Sequence, residues 1–220
     1  MHTPTYQTII SYNFNCRIKN YTVRFFNKNE HVDIHYNSLP HWQQGDCVTF
    51  ITCRLADSLP AEKISEYEDL KLRFEINNPK PWSSEIIDLY NSTIGDKIDY
   101  WLHQGHGSCI LSNTHCRNIL AETLFYNDGI RYNLYAFVIM PNHVHILFSP
   151  LDKLSSILHS LKRHSARHIN AYLNRNGSLW QKESFDHLVR SKEKFEKYIT
   201  YIKENTKNLR SDRYSLYISK

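Results

Sequence analysis

At 220 residues, with 41% hydrophobic side chains and only 6 Gly, the chain reads as one ordinary globular domain carrying an extension or insertion. No apolar run approaches the ~18 residues of a membrane span, and residues 1–20 lack an apolar core followed by a small-residue cleavage site, so a cytoplasmic protein without a membrane partner is expected. The net charge of +5 conceals an asymmetry, because residues 1–150 hold 12 Lys and Arg against 15 Asp and Glu whereas residues 151–220 hold 15 against 7.

A basic final third interleaved with Tyr172, Trp180, Phe185, Tyr198 and Tyr201 suits nucleic acid: cations meet phosphates and rings meet unpaired bases. A merely solvated charged face is the plain alternative. The five cysteines (Cys16, Cys47, Cys53, Cys109 and Cys116) are odd in number and form no C-x-x-C pair, which argues against a disulfide framework or a zinc ribbon.

In chain order, residues 1–38 are polar and aromatic without a clean period and read as an N-terminal extension of unknown role, leaving residues 39–220 as the domain. Asp46 to Leu55 is rich in β-branched residues and predicts a strand. Ala61 to Ile76 predicts an amphipathic helix with Ile64, Tyr67, Leu70 and Phe74 on one stripe. Two prolines break the pattern at residues 77–82, and Ser84 to Trp101 is a second, weaker helical stretch. Asn113 is placed to cap a helix from Thr114 to about Tyr126. His103, His106 and His115 read as loop and cap residues, since no acidic partner stands at a ligand spacing.

Leu134 to Met140 is a continuous apolar run, Pro141 and Asn142 interrupt it, and His143 to Phe148 runs apolar again, which predicts a hairpin of two buried strands. Residues two apart on a strand share a face, so His143 and His145 project together while Val144 and Ile146 point the other way. With 13 His in the chain, one His-x-His pair is expected roughly by chance, so the spacing proves little. The apolar setting carries more weight: two unpaired rings there are costly unless they bind something, and a metal ion is the natural occupant. Two histidines bonded to backbone or water remain the plain alternative.

Beyond the hairpin, Leu154, Ile157, Leu158, Leu161, Ile169 and Leu173 keep a helical stripe from about Lys153 to Leu173, with Lys162, Arg163, His164, Arg167 and His168 on the other face. A short strand is expected around His187 to Arg190. A last helix, about Lys192 to Asn208, buries Phe195, Tyr198, Ile199 and Ile202, while Tyr201 and Asn205 stack four apart on its flank. The element order predicts an α+β fold of ferredoxin-like type: an antiparallel sheet with helices packed on one face and a helical insertion.

Residues 135–147 (Y-A-F-V-I-M-P-N-H-V-H-I-L), with Leu179-Trp180-Gln181, residues 185–190 (F-D-H-L-V-R) and residues 201–205 (Y-I-K-E-N), resemble the REP-associated tyrosine transposases, which belong to the HUH single-tyrosine transposases. The similarity runs from about Leu39 to Leu209. It implies that His143 and His145 are metal ligands, that Asn205 completes the site, and that Tyr201 is the nucleophile. The family usually has proline after this asparagine; Thr206 stands here, which predicts a longer catalytic helix.

The resemblance further implies a metal-dependent endonuclease and strand transferase acting on single-stranded or hairpin DNA through a covalent 5′-phosphotyrosine, with Mg²⁺ or Mn²⁺ as cofactor. Lys162, Arg163, Arg167, Trp180 and Arg190 are the expected DNA contacts, and a homodimer is one open arrangement. Two other classes stay in view. A non-catalytic nucleic-acid module would use Tyr201 only for stacking, and a metal-dependent phosphoesterase would need the histidines but not Tyr201.

Overall fold

The longest apolar runs of the chain become its central strands, because a strand covered on both sides needs apolar residues at successive positions. The computed structural model describes residues 23–36 and 40–219. Strand β3 (Thr49–Arg54), β4 (Tyr132–Ile139), β5 (His143–Pro150), β6 (Phe185–Leu188) and β7 (Ser215–Ile218) form one antiparallel sheet in the order β6-β3-β5-β4-β7. The expected hairpin is present as β4–β5, with Met140 N–H bonded to His143 O at 2.9 Å across the Pro141-Asn142 turn. A register shift between Leu134 and Ala136 marks a bulge in β4.

Helices α4 (Thr114–Tyr126) and α5 (Leu154–Tyr172) connect strands that are not neighbours, β3 to β4 and β5 to β6. With four strands ordered 4-1-3-2 and two such connections, the α+β ferredoxin-like expectation is met, and β7 adds a fifth strand beside β4. Both helices lie on the face of Ile51, Cys53, Val144, Ile146 and Phe148, where they bury Leu120, Leu124, Ile157, Leu161 and Ile169. Asn113 caps α4 as expected, its Oδ1 accepting from His115 N–H at 2.9 Å.

The other face carries Phe50, Val138, Leu147 and the two histidines. It is covered by α6 (Lys192–Glu204) through Phe195, Tyr198, Ile199 and Ile202. The last helix thus lies across the sheet from α4 and α5. It ends at Glu204, short of the expected end near Asn208, where Thr206 N–H bonds Lys203 O in a tighter turn.

Between β3 and α4 the insertion forms α1 (Ala61–Asn77), α2 (Ser84–Tyr90) and α3 (Asp96–His103), with one π-helical turn at Asn91–Gly95. Ile64, Tyr67, Leu70 and Phe74 of α1 pack, as the stripe predicts, against a separate small core of Leu59, Trp82, Tyr90, Ile94, Ile98, Trp101 and Leu102. Gly107 holds φ +86° with the Asp57 backbone where a Cβ would stand, so only glycine lets the loop after α3 lie against the end of β3.

Of the N-terminal extension, residues 23–36 are described. Its β1 (Asp33–Tyr36) pairs with β2 (Pro40–Gln43), and the expected boundary between residues 38 and 39 lies outside the described residues. The backbone of Arg24 and of Phe26 bonds Val48 and Val189 at the sheet edge. The four cysteines among the described residues are free, and none of the described helices is long and apolar enough to cross a membrane.

Candidate active site

Alternation along β5 sends His143 and His145 to the α6 face, their ring centroids 4.8 Å apart. Each imidazole is completely buried, and burial holds both well below the ordinary histidine range, His145 at about 4. Both rings are therefore neutral at physiological pH, the form that donates a lone pair to a metal. Thr52, the cross-strand partner of His145 on β3, places its hydroxyl 2.8 Å from His145 Nδ1.

His143 Nδ1 donates to Asn142 Oδ1 at 2.7 Å, which leaves Nε2 as the atom with the free lone pair. That Nε2 is buried and has no hydrogen-bond partner. An orphaned buried acceptor is costly, by about 1–3 kcal/mol, and a ligand that it binds removes the cost.

Asn142 does a second job. Its Nδ2 donates to Leu102 O at 3.0 Å and His106 O at 3.2 Å, so the turn residue that orients His143 also satisfies one carbonyl in the last turn of α3 and one in the loop after it. The insertion is in this way tied to the histidine hairpin.

From the opposite side α6 delivers Tyr201, whose hydroxyl lies 3.5 Å from His145 Nε2 and donates to Asp99 Oδ2 of α3. Burial, and next the Asp99 carboxylate, push this hydroxyl above the ordinary phenol range. One turn on, Asn205 Nδ2 donates to Tyr201 O at 2.9 Å, which turns Oδ1 outward to meet His103 Nε2. The His103 ring is 5.6 Å from that of His143, and its Nδ1 donates to the Asp99 carbonyl at 2.7 Å.

Tyr201, His143, His145 and Asn205, named from the sequence, are thus brought together. Two imidazole nitrogens and a carboxamide oxygen that keeps a second lone pair fit a divalent cation. Among the described residues no group of three His, Cys, Asp or Glu is gathered for a metal.

A cavity of about 420 Å³ opens beside Tyr201, lined by Phe50, Asp96, Asp99, His187, Lys194 and Lys197 among others. It adjoins one of about 560 Å³ that runs past Tyr198 toward Phe26, Trp42 and Arg190. Phe50 stacks on Tyr198 at 4.3 Å and on His145 at 5.3 Å, so Tyr198 is a packing residue, as its place on the stripe predicts.

The expected DNA contacts distribute differently. Trp180 is 5% exposed within the core under α5, with its Nε1 donating to Ser165 Oγ at 2.9 Å, and has no ring face to offer a base. Lys162 Nζ donates to the carbonyls of Gln181 and Lys182, which spends it on the backbone. Arg163 and Arg167 are exposed, but on α5, across the sheet from the histidines. Arg190 borders the larger cavity, bonded to Asp88 at 3.0 Å and lying over the Phe26 ring.

Asp99, His103, Thr52, Asn142, Lys194 and Lys197 also border these groups, though their place in the sequence does not by itself predict it. The two lysines carried a signal, since Lys197 stands one turn before Tyr201 on the same helix face. Asp99 and His103 carried a weaker one: they too are four apart, matching the spacing of Tyr201 and Asn205.

Residues 112–205 match the family described as IS200-like transposases. No curated protein matches the chain. Among solved structures, the REP-associated tyrosine transposase bound to a REP hairpin is similar over 78% of this chain and 72% of its own, at 12% identity and a TM-score of 0.40.

Proposed function

We propose, from the match of residues 112–205 to the family of IS200-like transposases and from the geometry around Tyr201, that the protein cuts and rejoins single-stranded DNA with Tyr201 as nucleophile. The observation that carries this reading is the Tyr201 hydroxyl, 3.5 Å from His145 Nε2 at the mouth of a cavity large enough for a nucleotide. The two histidines beside it are neutral and one presents a partnerless nitrogen.

Each group has a task that follows from its chemistry. The Tyr201 oxygen attacks phosphorus in line with the departing 3′ oxygen, giving a 5′-phosphotyrosine and a free 3′ hydroxyl. Because the phosphodiester energy is kept in the covalent bond, attack by another 3′ hydroxyl reverses the step and joins strands. A divalent cation, Mg²⁺ or Mn²⁺, held by His143, His145 and Asn205 would polarise a non-bridging oxygen. Lys194 and Lys197 on α6 border the groove and would carry the strand's phosphates to the tyrosine.

The groove supports single strands over duplex, since an unpaired strand bends and offers bases to aromatic faces, each worth about 1–3 kcal/mol, while a duplex is a stiff cylinder. The test is a denaturing gel of a 3′-labelled single strand flanking an imperfect hairpin, incubated with Mg²⁺ or Mn²⁺. Wild type and Tyr198→Phe should give a protein–DNA band that survives denaturation. Tyr201→Phe, chelator and perfect duplex should give none. A band retained by Tyr201→Phe, or cutting without an adduct, would overturn the proposal in favour of a phosphoesterase.

A further inference from the structure

Tyr201 is bonded to a carboxylate that the matched segment 112–205 does not contain. Asp99 lies on α3, in the insertion between β3 and α4, and Tyr201 O–H donates to its Oδ2. Resting on the nucleophile assignment above, we propose that Asp99 is a catalytic residue: the proton acceptor for Tyr201 as the tyrosine attacks phosphorus.

A phenol is a weak nucleophile while it holds its proton, and the Tyr201 hydroxyl already points that proton at Asp99. The proton has to leave as the O–P bond forms, when the acidity of the phenolic oxygen rises steeply. An acceptor already hydrogen-bonded to it meets that demand without rearrangement. Of the groups within reach, His145 Nε2 is the alternative, but at 3.5 Å it stands farther off, and its lone pair is the one a cation would take. Asp99 needs no such sharing.

The contact is built rather than incidental. Asp99 and His103 are one turn apart on α3, Tyr201 and Asn205 one turn apart on α6, and the pairs meet in register: Asp99 with Tyr201, His103 with Asn205. The α3 end is anchored in turn by Asn142 Nδ2 on Leu102 O and His106 O. A slide of either helix by one residue would break both pairs at once.

The step balances. The Tyr201 oxygen bonds to phosphorus and its proton passes to Asp99 Oδ2. The P–O3′ bond breaks, its electron pair leaves with the 3′ oxygen, and that oxygen takes a proton from solvent water while Asp99 returns one to solvent. In the joining direction a protonated Asp99 gives the proton back to the departing tyrosine oxygen.

The experiment is the single-turnover rate of adduct formation in Asp99→Asn, Asp99→Glu and Tyr201→Phe, with strand affinity measured separately in chelator. Asparagine still accepts the tyrosine's hydrogen bond, so a purely positional role predicts a rate near wild type. The proton-acceptor role predicts that Asp99→Asn slows adduct formation by about 10²–10⁴-fold at unchanged affinity and thermal stability, and that Asp99→Glu recovers much of the loss. A rate for Asp99→Asn within about threefold of wild type overturns the assignment, as does a slow rate explained by lost affinity. If wild type makes the adduct and Tyr201→Phe does not, the nucleophile stands whatever Asp99 does; if wild type makes none, both fall.

Discussion

Thr52 and His145 face each other across the β3–β5 pair, with the threonine oxygen 2.8 Å from His145 Nδ1. A hydroxyl at Nδ1 fixes the ring's orientation and lets Nε2 point toward Tyr201 and the groove, the arrangement in which an outer partner tunes a ligating histidine. Thr52→Val keeps the shape and removes that oxygen. The expected result is a 10–100-fold weaker affinity for Mn²⁺, read by calorimetry or by the Mn²⁺ resonance signal, with the fold intact. Affinity unchanged in the valine variant would mean that His145 is oriented by packing on Phe50 alone.

The groove predicts which cations touch DNA. Lys197→Gln should weaken binding of a short single strand and lower the slope of log affinity against log salt by about 0.7, the share of one phosphate contact. The same change at Arg163 or Arg167 should leave both quantities untouched for an oligonucleotide spanning only the groove, because α5 lies across the sheet. The reverse pattern would place the strand on the α5 face.

Trp180 makes a contrasting case. Its ring is core and its indole N–H bonds Ser165, so Trp180→Phe should cost about 1–2 kcal/mol through the lost bond and lost volume. Strand affinity per folded molecule should not change. Denaturant unfolding and a binding titration on the same preparation check it, and a selective loss of affinity would restore Trp180 to the DNA surface.

Stability should depend on pH through the buried histidines. In the unfolded chain His145 takes up a proton near pH 6.5, whereas in the native state it does so only near pH 4. Between those values the unfolded state binds more protons. Native stability is therefore fully present above about pH 7 and is lost as pH falls toward 4, with His145 accounting for about 3 kcal/mol and His143 acting in the same direction. Thermal melts from pH 8 to 4 should show that fall, and His145→Gln should flatten it. A melting temperature independent of pH across the window would contradict the burial of neutral imidazoles.

Much of this protein is visible in local pattern. Hairpin β4–β5, the sharing of one face by His143 and His145, and the pairing of Tyr201 with Asn205 all follow from periods of two and of nearly four, which depend only on the backbone between neighbouring residues. Even the sidedness of the site is implicit there: Val144 and Ile146 are apolar because helices cover them, so the histidines must face away.

Tertiary structure alone decided the rest. Asp99 and Tyr201 are separated by 102 positions, and no period links residues on different elements. Their meeting depends on how the insertion folds onto its own small core and on the anchor that Asn142 makes. The same reason governs the cations. Lys162, Arg163 and Arg167 and the pair Lys194 and Lys197 look alike in sequence, each on the polar face of an amphipathic helix. One helix packs on the far side of the sheet and the other carries Tyr201 itself. Trp180 shows the limit from the other direction: an aromatic ring reads as a base platform or as core filling until its neighbours are known, and here Ser165 and the α5 stripe enclose it.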